Sequence, residues 1–164
     1  MRVDRTGAET RIATPLFADP SMTLSIFEIL ADDHIVQRRL CQALESVADR
    51  LPVLPAADEI SWLCKAIRRV TSTHFGRAER LFAELPLGHR PGPAFLSALR
   101  EMHQFDRMHG EDLASELWWS LSPGAARDVG KLSYMLRCFF DGCRRAIALK
   151  ESGIEIARRG LIPG

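Results

Sequence analysis

The sequence predicts an all-α protein, an antiparallel up-down-up-down bundle of four helices. Two observations carry this prediction. Apolar residues recur three and four positions apart through four long segments, and short stretches rich in proline and glycine separate these segments. Because connections this short place consecutive helices side by side, we expect each helix to run opposite to the one before it.

Residues 1–22 show no sustained apolar period and are predicted to form an N-terminal arm, ahead of a bundle over residues 23–160. The first helix is predicted over residues 24–51, where Ser25 and Glu28 have the spacing of a capping box. Its inward-facing stripe consists of Leu30, His34, Gln37, Cys41, Leu44, Ala48 and Leu51.

The second helix is predicted over residues 58–85, after a break at residues 51–55 that contains two prolines. The same three-four spacing continues along this segment, which predicts one buried face over its whole length. The residues of this stripe are Ile60, Leu63, Ile67, Val70, His74, Ala78, Leu81 and Leu85.

The third helix is predicted over residues 93–120, with a proline in its first position. Its inward positions are Leu99, Met102 or His103, Asp106, His109 or Gly110, Leu113 and Leu117. Ser122 and Pro123 have the pattern of a cap followed by a first-turn proline. The fourth helix is therefore predicted to begin there, to run to Arg159 and to stop at Gly160.

The overall charge excludes several classes of partner. The chain has 22 Lys and Arg residues against 21 Asp and Glu residues, a net charge of +1, so we expect no nucleic-acid and no membrane partner. No apolar run is long enough for a transmembrane helix, and no secretory signal is recognisable.

The cysteines are expected to be buried free thiols in a cytoplasmic protein; they are Cys41, Cys64, Cys138 and Cys143.

Three histidines lie on apolar stripes of three different helices. They are His34, His74 and His103, and each is a similar number of residues from a predicted helix end. With antiparallel helices they should therefore lie at one level of the bundle. A layer of imidazoles inside a helical bundle is typical of a metal site.

The chain also contains a weak internal repeat. The segment Leu30 to His34 parallels Leu99 to His103, and Val36, Arg38 and Leu44 parallel Phe105, Arg107 and Leu113. In the other half of each copy, His74, Phe75 and Glu79 parallel Ala146, Ile147 and Glu151. The first and second helices, and the third and fourth, thus look like two copies of one helical hairpin.

At these residues the chain resembles the hemerythrin-like (HHE cation-binding) family. The resemblance covers about residues 24–158, and it rests on the Leu-x-x-acid-His of 30–34, the His-Phe-x-x-x-Glu-x-x-Phe of 74–82 and the echo around His103. It implies a four-helix bundle that holds two non-haem irons. The implied ligands are a histidine on the first helix and a His-x-x-x-Glu on the second, both repeated in the second half.

Three of the implied ligand positions match and three do not. His34, His74 and His103 match, whereas Ala78, Ala146 and Lys150 stand where the resemblance implies a carboxylate, a histidine and a second carboxylate. Two clustered divalent ions need carboxylates to offset their charge, so we expect no intact di-iron centre. A single Fe or Zn ion remains feasible, because three imidazoles can hold one with an open position.

Other residues extend or compete with this set. Asp106 and His109 form an Asp-x-x-His pair on the third helix, and His109 could replace His103 if the register of that helix is shifted. Lys150 either faces solvent or is buried and needs a partner, for which Glu79, Asp33 and Asp106 are the candidates. The full set of candidate metal ligands is His34, His74, His103, His109, Asp106 and Glu79.

Two functions follow from these observations. The first is a cation-binding domain with a mononuclear iron or zinc site that binds or senses O₂ or NO. The second is a metal-free helical interaction or regulatory domain that has lost the di-iron site. No constellation for nucleophilic or acid-base catalysis stands out, so we expect no enzyme.

The adjacent Trp118 and Trp119 cannot both face the core, and one of them is a candidate contact for a homodimer.

Overall fold

The computed structural model describes residues 20–124 and 126–160, and within them every regular element is a helix. The helices are α1 (Pro20–Arg50), α2 (Ala57–Arg69), a π-helical turn (Val70–His74), α3 (Phe75–Glu84), a short 3-10 turn (Leu87–His89), α4 (Pro93–Trp119) and α5 (Val129–Arg159). Both junctions of the π-helical turn keep right-handed helical dihedral angles, so α2, this turn and α3 form one continuous rod. The all-helical prediction is confirmed, and the antiparallel order stays a prediction.

The bounds of the second and third rods lie within one residue of the predicted ones, whereas the starts of the first and last rods differ from the prediction. The first helix begins at Pro20, inside the predicted N-terminal arm, and the remainder of that arm lies outside the described residues. The fourth helix begins at Val129 and not at Ser122 and Pro123, so that prediction is wrong. Gly124 has a φ of 74°, which a right-handed helix cannot contain, and Asp128 caps the helix by accepting a hydrogen bond of 2.8 Å from the Lys131 N–H.

The core consists of two apolar clusters separated by a layer of buried polar side chains. One cluster contains Leu44, Ile60, Leu113 and Leu136, and the other contains Phe27, Leu30, Leu81, Phe82, Leu99 and Ile154. On each rod the polar residues lie where one cluster gives way to the other, and on the second rod Phe75 of the first cluster follows His74. This layer consists of Asp33, His34, Gln37, Thr71, His74, His103, Asp106 and Lys150.

The stripes predicted from periodicity are the buried faces of the first three rods. The described part of the chain contains no helix that is both long and apolar enough to cross a membrane. The bundle therefore provides a dry interior whose main polar content is one layer, and this layer positions every candidate ligand that the structure buries.

Helix α5 approaches α4 closely at Gly142. A Cβ atom at this position would overlap the Asp106 carboxylate, so only glycine leaves room for that side chain. Gly76, in contrast, has no heavy atom within 4 Å of the position that a Cβ would take. The two glycines thus have opposite structural roles in otherwise similar helical backbone.

We expect Gly142→Ala to lower the free energy of unfolding by about 1–3 kcal/mol, because the added methyl group must displace Asp106. The matched variant Gly76→Ala should raise it by up to about 1 kcal/mol, since alanine is the better helix former. Urea unfolding followed by circular dichroism measures both. Equal effects of the two substitutions would contradict the close approach of α4 and α5.

Candidate functional site

The three predicted histidines all lie in the interior. His34 belongs to α1, His74 is the last residue of the π-helical turn, and His103 belongs to α4; all three are buried. His109 is exposed, because it lies about 100° around the helix from the buried Gly110. The expectation that His109 faces the interior is therefore wrong, and the histidine that α4 contributes to the core is His103.

The π-helical turn that carries His74 was not predicted from the sequence. Its cue is the hydroxyl run Thr71, Ser72 and Thr73. The Thr71 hydroxyl donates to the Ile67 carbonyl at 3.1 Å, and the Ser72 hydroxyl donates to the Arg68 carbonyl at 2.6 Å. Such side-chain bonds compete with the regular backbone ladder and favour a widened turn.

Each buried histidine faces a carboxylate from a neighbouring rod. The Nδ1 of His103 donates to Glu79 Oε1 at 2.8 Å, and the Nδ1 of His74 lies 2.9 Å from Asp33 Oδ1. The Nδ1 of His34 lies 3.8 Å from Glu151 Oε1.

An arginine completes each set from the next turn of the histidine's own rod. Arg107 donates to Glu79 at 2.9 Å, and Arg38 donates to Glu151 at 2.7 Å. Arg77 holds both oxygens of Asp33, with 2.8 Å between its Nε and Oδ2. We call these three histidine-carboxylate-arginine sets the triads.

Two triads link the two helical hairpins reciprocally. Glu79 of the first hairpin accepts from His103 and Arg107 of the second, and Glu151 of the second contacts His34 and Arg38 of the first. These are corresponding positions of the internal repeat. The repeat therefore reflects a pairing in which each hairpin supplies the carboxylate for the other.

The third triad has no counterpart in the second hairpin. The positions that correspond to Asp33, His74 and Arg77 are occupied by Met102, Ala146 and Leu149. All three replacements are apolar. The second hairpin thus lacks the whole set, and the loss leaves no isolated ion behind.

The triads determine how the imidazoles are protonated. In the His103 triad the hydrogen bond to Glu79 favours the tautomer with the proton on Nδ1, which leaves the lone pair on Nε2. Burial, with a smaller contribution from the Lys150 ammonium, lowers the pKa of His34 to about 4 and that of His103 to about 2. Burial also lowers the pKa of His74. The rings are therefore neutral at pH 7.

The Nε2 atoms of these rings are buried, and none has a hydrogen-bond partner in the described part of the chain. Histidines that ligate a metal through one nitrogen commonly donate from the other to a carboxylate. The His103 triad therefore has the outer half of a metal-ligand arrangement. Among the described residues, the Nδ1 atoms of His34 and His74 lie near a carboxylate but make no hydrogen bond to it with good geometry.

Lys150 occupies the interior beside these rings. Its side chain is 0% exposed, and its Nζ donates to Gln37 Oε1 at 2.8 Å. The ammonium lies 5.7 Å from the centroid of the Phe75 ring, which stacks on His103 at 4.1 Å. Burial lowers the pKa of Lys150 to about 8, so it remains mainly charged at pH 7. The expected carboxylate partner is wrong, because the hydrogen-bond partner is the neutral amide of Gln37.

Asp106 is the remaining buried carboxylate of the layer. One of its oxygens packs against Gly142, and the other, Oδ2, has no hydrogen-bond partner among the described residues. Burial raises its pKa to about 6, although Arg145 and Lys150 oppose that shift. Among the described residues, Asp106 is thus the carboxylate of the layer that has no arginine within ion-pair distance.

A two-metal centre does not fit these residues. Ala78 and Ala146 are buried and offer no ligand atom, and Lys150 places a cation where an anionic ligand is implied. Across residues 20–124 and 126–160, no three His, Cys, Asp or Glu side chains converge closely enough to hold a metal ion. A single ion on the three Nε2 atoms would require rearrangement of the layer and displacement of Lys150.

We expect Asp33→Asn to lower the free energy of unfolding by about 2–3 kcal/mol, because it leaves Arg77 without its buried anionic partner. Asp49→Asn is the matched control. Asp49 is exposed and lies 3.4 Å from Arg137, so its effect should stay within about 0.5 kcal/mol. Denaturant unfolding of both variants measures the difference. If Asp33→Asn lowers the free energy of unfolding no more than the control does, the Asp33 triad does not stabilise the fold.

One of the three comparisons with known proteins finds a match, and it agrees with the all-helical fold. The search of curated proteins and the search of solved structures each give no match. The family described as hemerythrin HHE cation binding domain matches residues 25–154, a range that includes all three triads. This family is one of metal-binding helical domains, and the chain belongs to the hemerythrin HHE cation-binding domain family.

Proposed function

We propose that this chain is a metal-independent member of its family and acts as a helical interaction or regulatory domain. The observation that carries the proposal is the fully buried ammonium of Lys150, bonded to Gln37. In this proposal Lys150 supplies from within the chain a positive charge where its relatives place metal cations. Family membership supports a cation-binding domain in general, and the residues of this chain argue for an internal cation.

The charges of the layer favour this proposal. Each triad carboxylate already has an arginine, so within residues 20–124 and 126–160 Lys150 and Asp106 are the two buried charged side chains without an ion-pair partner. A divalent ion would add two positive charges beside the ammonium, and Asp106 is the one buried carboxylate of the layer that would be free to bind it. Two unit charges 4 Å apart repel by about 4 kcal/mol at an effective dielectric constant near 20, and a divalent ion doubles that figure.

A second candidate function is a single Fe or Zn ion held by His34, His74 and His103, with O₂ or NO as the bound gas. The three buried Nε2 atoms without partners favour it. A groove of about 400 Å³ between α1 and α5 also reaches His34 beside the Arg38–Glu151 ion pair, which would admit a small molecule. This candidate requires that Lys150 leave its position.

Metal analysis separates the two candidates. We expect protein purified without chelator or nickel affinity to contain well under one iron or zinc per chain, measured by plasma mass spectrometry. The triple variant Ala78→Glu, Ala146→His and Lys150→Glu restores the implied ligands and should bind more iron. It should also unfold at a higher temperature with iron, since a ligand bound only by the folded state stabilises it.

The controls address folding and register. Ala78→Glu and Ala146→His should each do little alone, because each leaves the Lys150 ammonium in place, and adding His103→Ala to the triple variant should reduce its iron content. If the triple variant does not fold by circular dichroism, Lys150→Ala provides the test, because loss of the ammonium should strengthen zinc binding. One ion per chain in the parent protein would instead establish the mononuclear site.

Lys150 should exclude cations at a cost in stability. We expect Lys150→Met to raise the free energy of unfolding at pH 7 by about 1–3 kcal/mol, because a buried charge is replaced by an apolar side chain of similar size. Since the pKa of Lys150 falls from 10.5 to about 8 on folding, the unfolded chain binds more protons between these pH values. The stability of the parent should therefore rise over that window, and this rise should be absent in the variant.

The control for this prediction is Lys65→Met, which removes an exposed ammonium. It should leave both the stability at pH 7 and its pH dependence nearly unchanged. Chemical unfolding at several pH values gives both quantities. A marked loss of stability in Lys150→Met alone would show that the ammonium is a net stabilising group.

A further inference from the structure

An open groove lies between α1 and α2, on the opposite side of α1 from the seam with α5. Its volume is about 390 Å³, within the range of ligand and peptide sites. We call it the Trp62 groove. It is lined by Val36, Arg39, Leu40, Trp62, Lys65, Ala66, Arg69 and Val70.

The apolar part of the Trp62 groove is open to solvent. The Trp62 side chain is 52% exposed and that of Val36 is 42% exposed, while Leu40 and Val70 are buried beneath them. An indole left this exposed in a concave site is a typical anchor of protein interfaces. None of the lining residues belongs to a triad, so this surface is separate from the histidine layer.

The charged part of the groove has one sign. Arg39, Lys65 and Arg69 line it, no acidic side chain does, and none of the three makes an ion pair with a described residue. The chain as a whole is nearly neutral, with 22 basic and 21 acidic residues. The local excess of positive charge is therefore a property of this surface, and it complements an acidic partner.

The spacing along α2 fits a helical occupant. Trp62, Ala66 and Arg69 follow one another on one face, and the groove extends to Val70, about 12 Å or two helical turns from Trp62. An amphipathic helix docks in such a groove through apolar residues at positions i, i+3, i+4 and i+7. Glutamates beside that apolar face would lie next to the three cations.

We propose that the Trp62 groove binds an acidic amphipathic helix of a partner protein, with its apolar side chains against Trp62 and its carboxylates toward Arg39, Lys65 and Arg69. This proposal rests on the interaction role proposed above. The concave shape and the small number of cations favour a peptide over a flat membrane surface.

The test uses a fluorescein-labelled helical peptide of about four turns, with leucines at the four docking positions and glutamates on both flanks. Fluorescence anisotropy with the full chain should give saturable binding that weakens as salt increases. Trp62→Ala should weaken binding by roughly tenfold or more. The double variant Lys65→Glu and Arg69→Glu should do the same, and a peptide with lysines in place of glutamates should not bind.

Matched controls lie elsewhere on the molecule. Trp118 is 58% exposed and Arg100 is also exposed, and neither lines the groove. Trp118→Ala and Arg100→Glu should therefore bind the peptide like the parent. Because Trp62 is half exposed, its replacement should leave the circular dichroism spectrum and the melting temperature close to those of the parent.

Three outcomes would overturn the proposal. They are equal losses for Trp62→Ala and Trp118→Ala, absence of saturable binding by the parent, and a Trp62-dependent dimer in gel filtration, which would make a second copy the occupant. The measurement is made with and without chelator. If the protein contains metal and still binds the peptide, the metal-independent proposal is contradicted and the groove proposal stands. If the protein is free of metal and does not bind the peptide, the groove proposal is contradicted and the metal-independent proposal stands.

Discussion

A single buried ammonium organises the polar layer of this bundle. Among the described residues, Lys150 has no access to water and one hydrogen-bond partner, the neutral amide of Gln37, and Asp106 is the carboxylate of the layer that has no arginine within ion-pair distance. The carboxylates of the triads are balanced separately, because each of them meets an arginine from the next turn of the histidine's rod. The result is an interior that holds three neutral imidazoles between two apolar clusters, although it lacks the carboxylates of a two-metal site.

The internal repeat gains a physical meaning from these contacts. Glu79 and Glu151 occupy corresponding positions, and each contacts the histidine and arginine of the opposite hairpin. The hairpins are thus joined by two polar links at corresponding positions, of which the link at His103 is the shorter, in addition to their apolar contacts. Met102, Ala146 and Leu149 replace a whole triad together, so none of its charges is buried without a partner.

Much of the fold could be predicted from periodicity, because a three-four apolar stripe can be buried in few ways. The start of α5 could not, since Ser122 and Pro123 carry a genuine cap signal and the competing determinant is the backbone of Gly124. None of the three triad carboxylates was predicted as a histidine partner, although Glu79 was a candidate metal ligand. Asp33, Glu79 and Glu151 each stand one residue beside a buried position of their rod, so a count of inward positions leaves them out.

The burial of Lys150 and the choice of His103 over His109 depend on helix rotation, which the sequence leaves open within about one residue. To predict what surrounds Lys150, one must know where Gln37 and Phe75 lie on two other rods. Local spacing contains no such information. The same is true of the Trp62 groove, because its two walls come from helices that the sequence shows only as separate stripes.

The π-helical turn sets the register of α3 by absorbing one surplus residue. A wide turn of this kind contains one residue more than an α-helical path through the same space. Loss of one residue between Val70 and His74 would therefore close the turn into regular α-helix and leave the residues after it facing as they do now. The same loss within α2, which is regular α-helix, would rotate everything after it by about 100°, so that Ala78, Leu81 and Leu85 would turn away from the core together and Glu79 would leave His103. The π-helical turn is thus the point in this rod where the chain can shorten by one residue and keep its inner and outer faces.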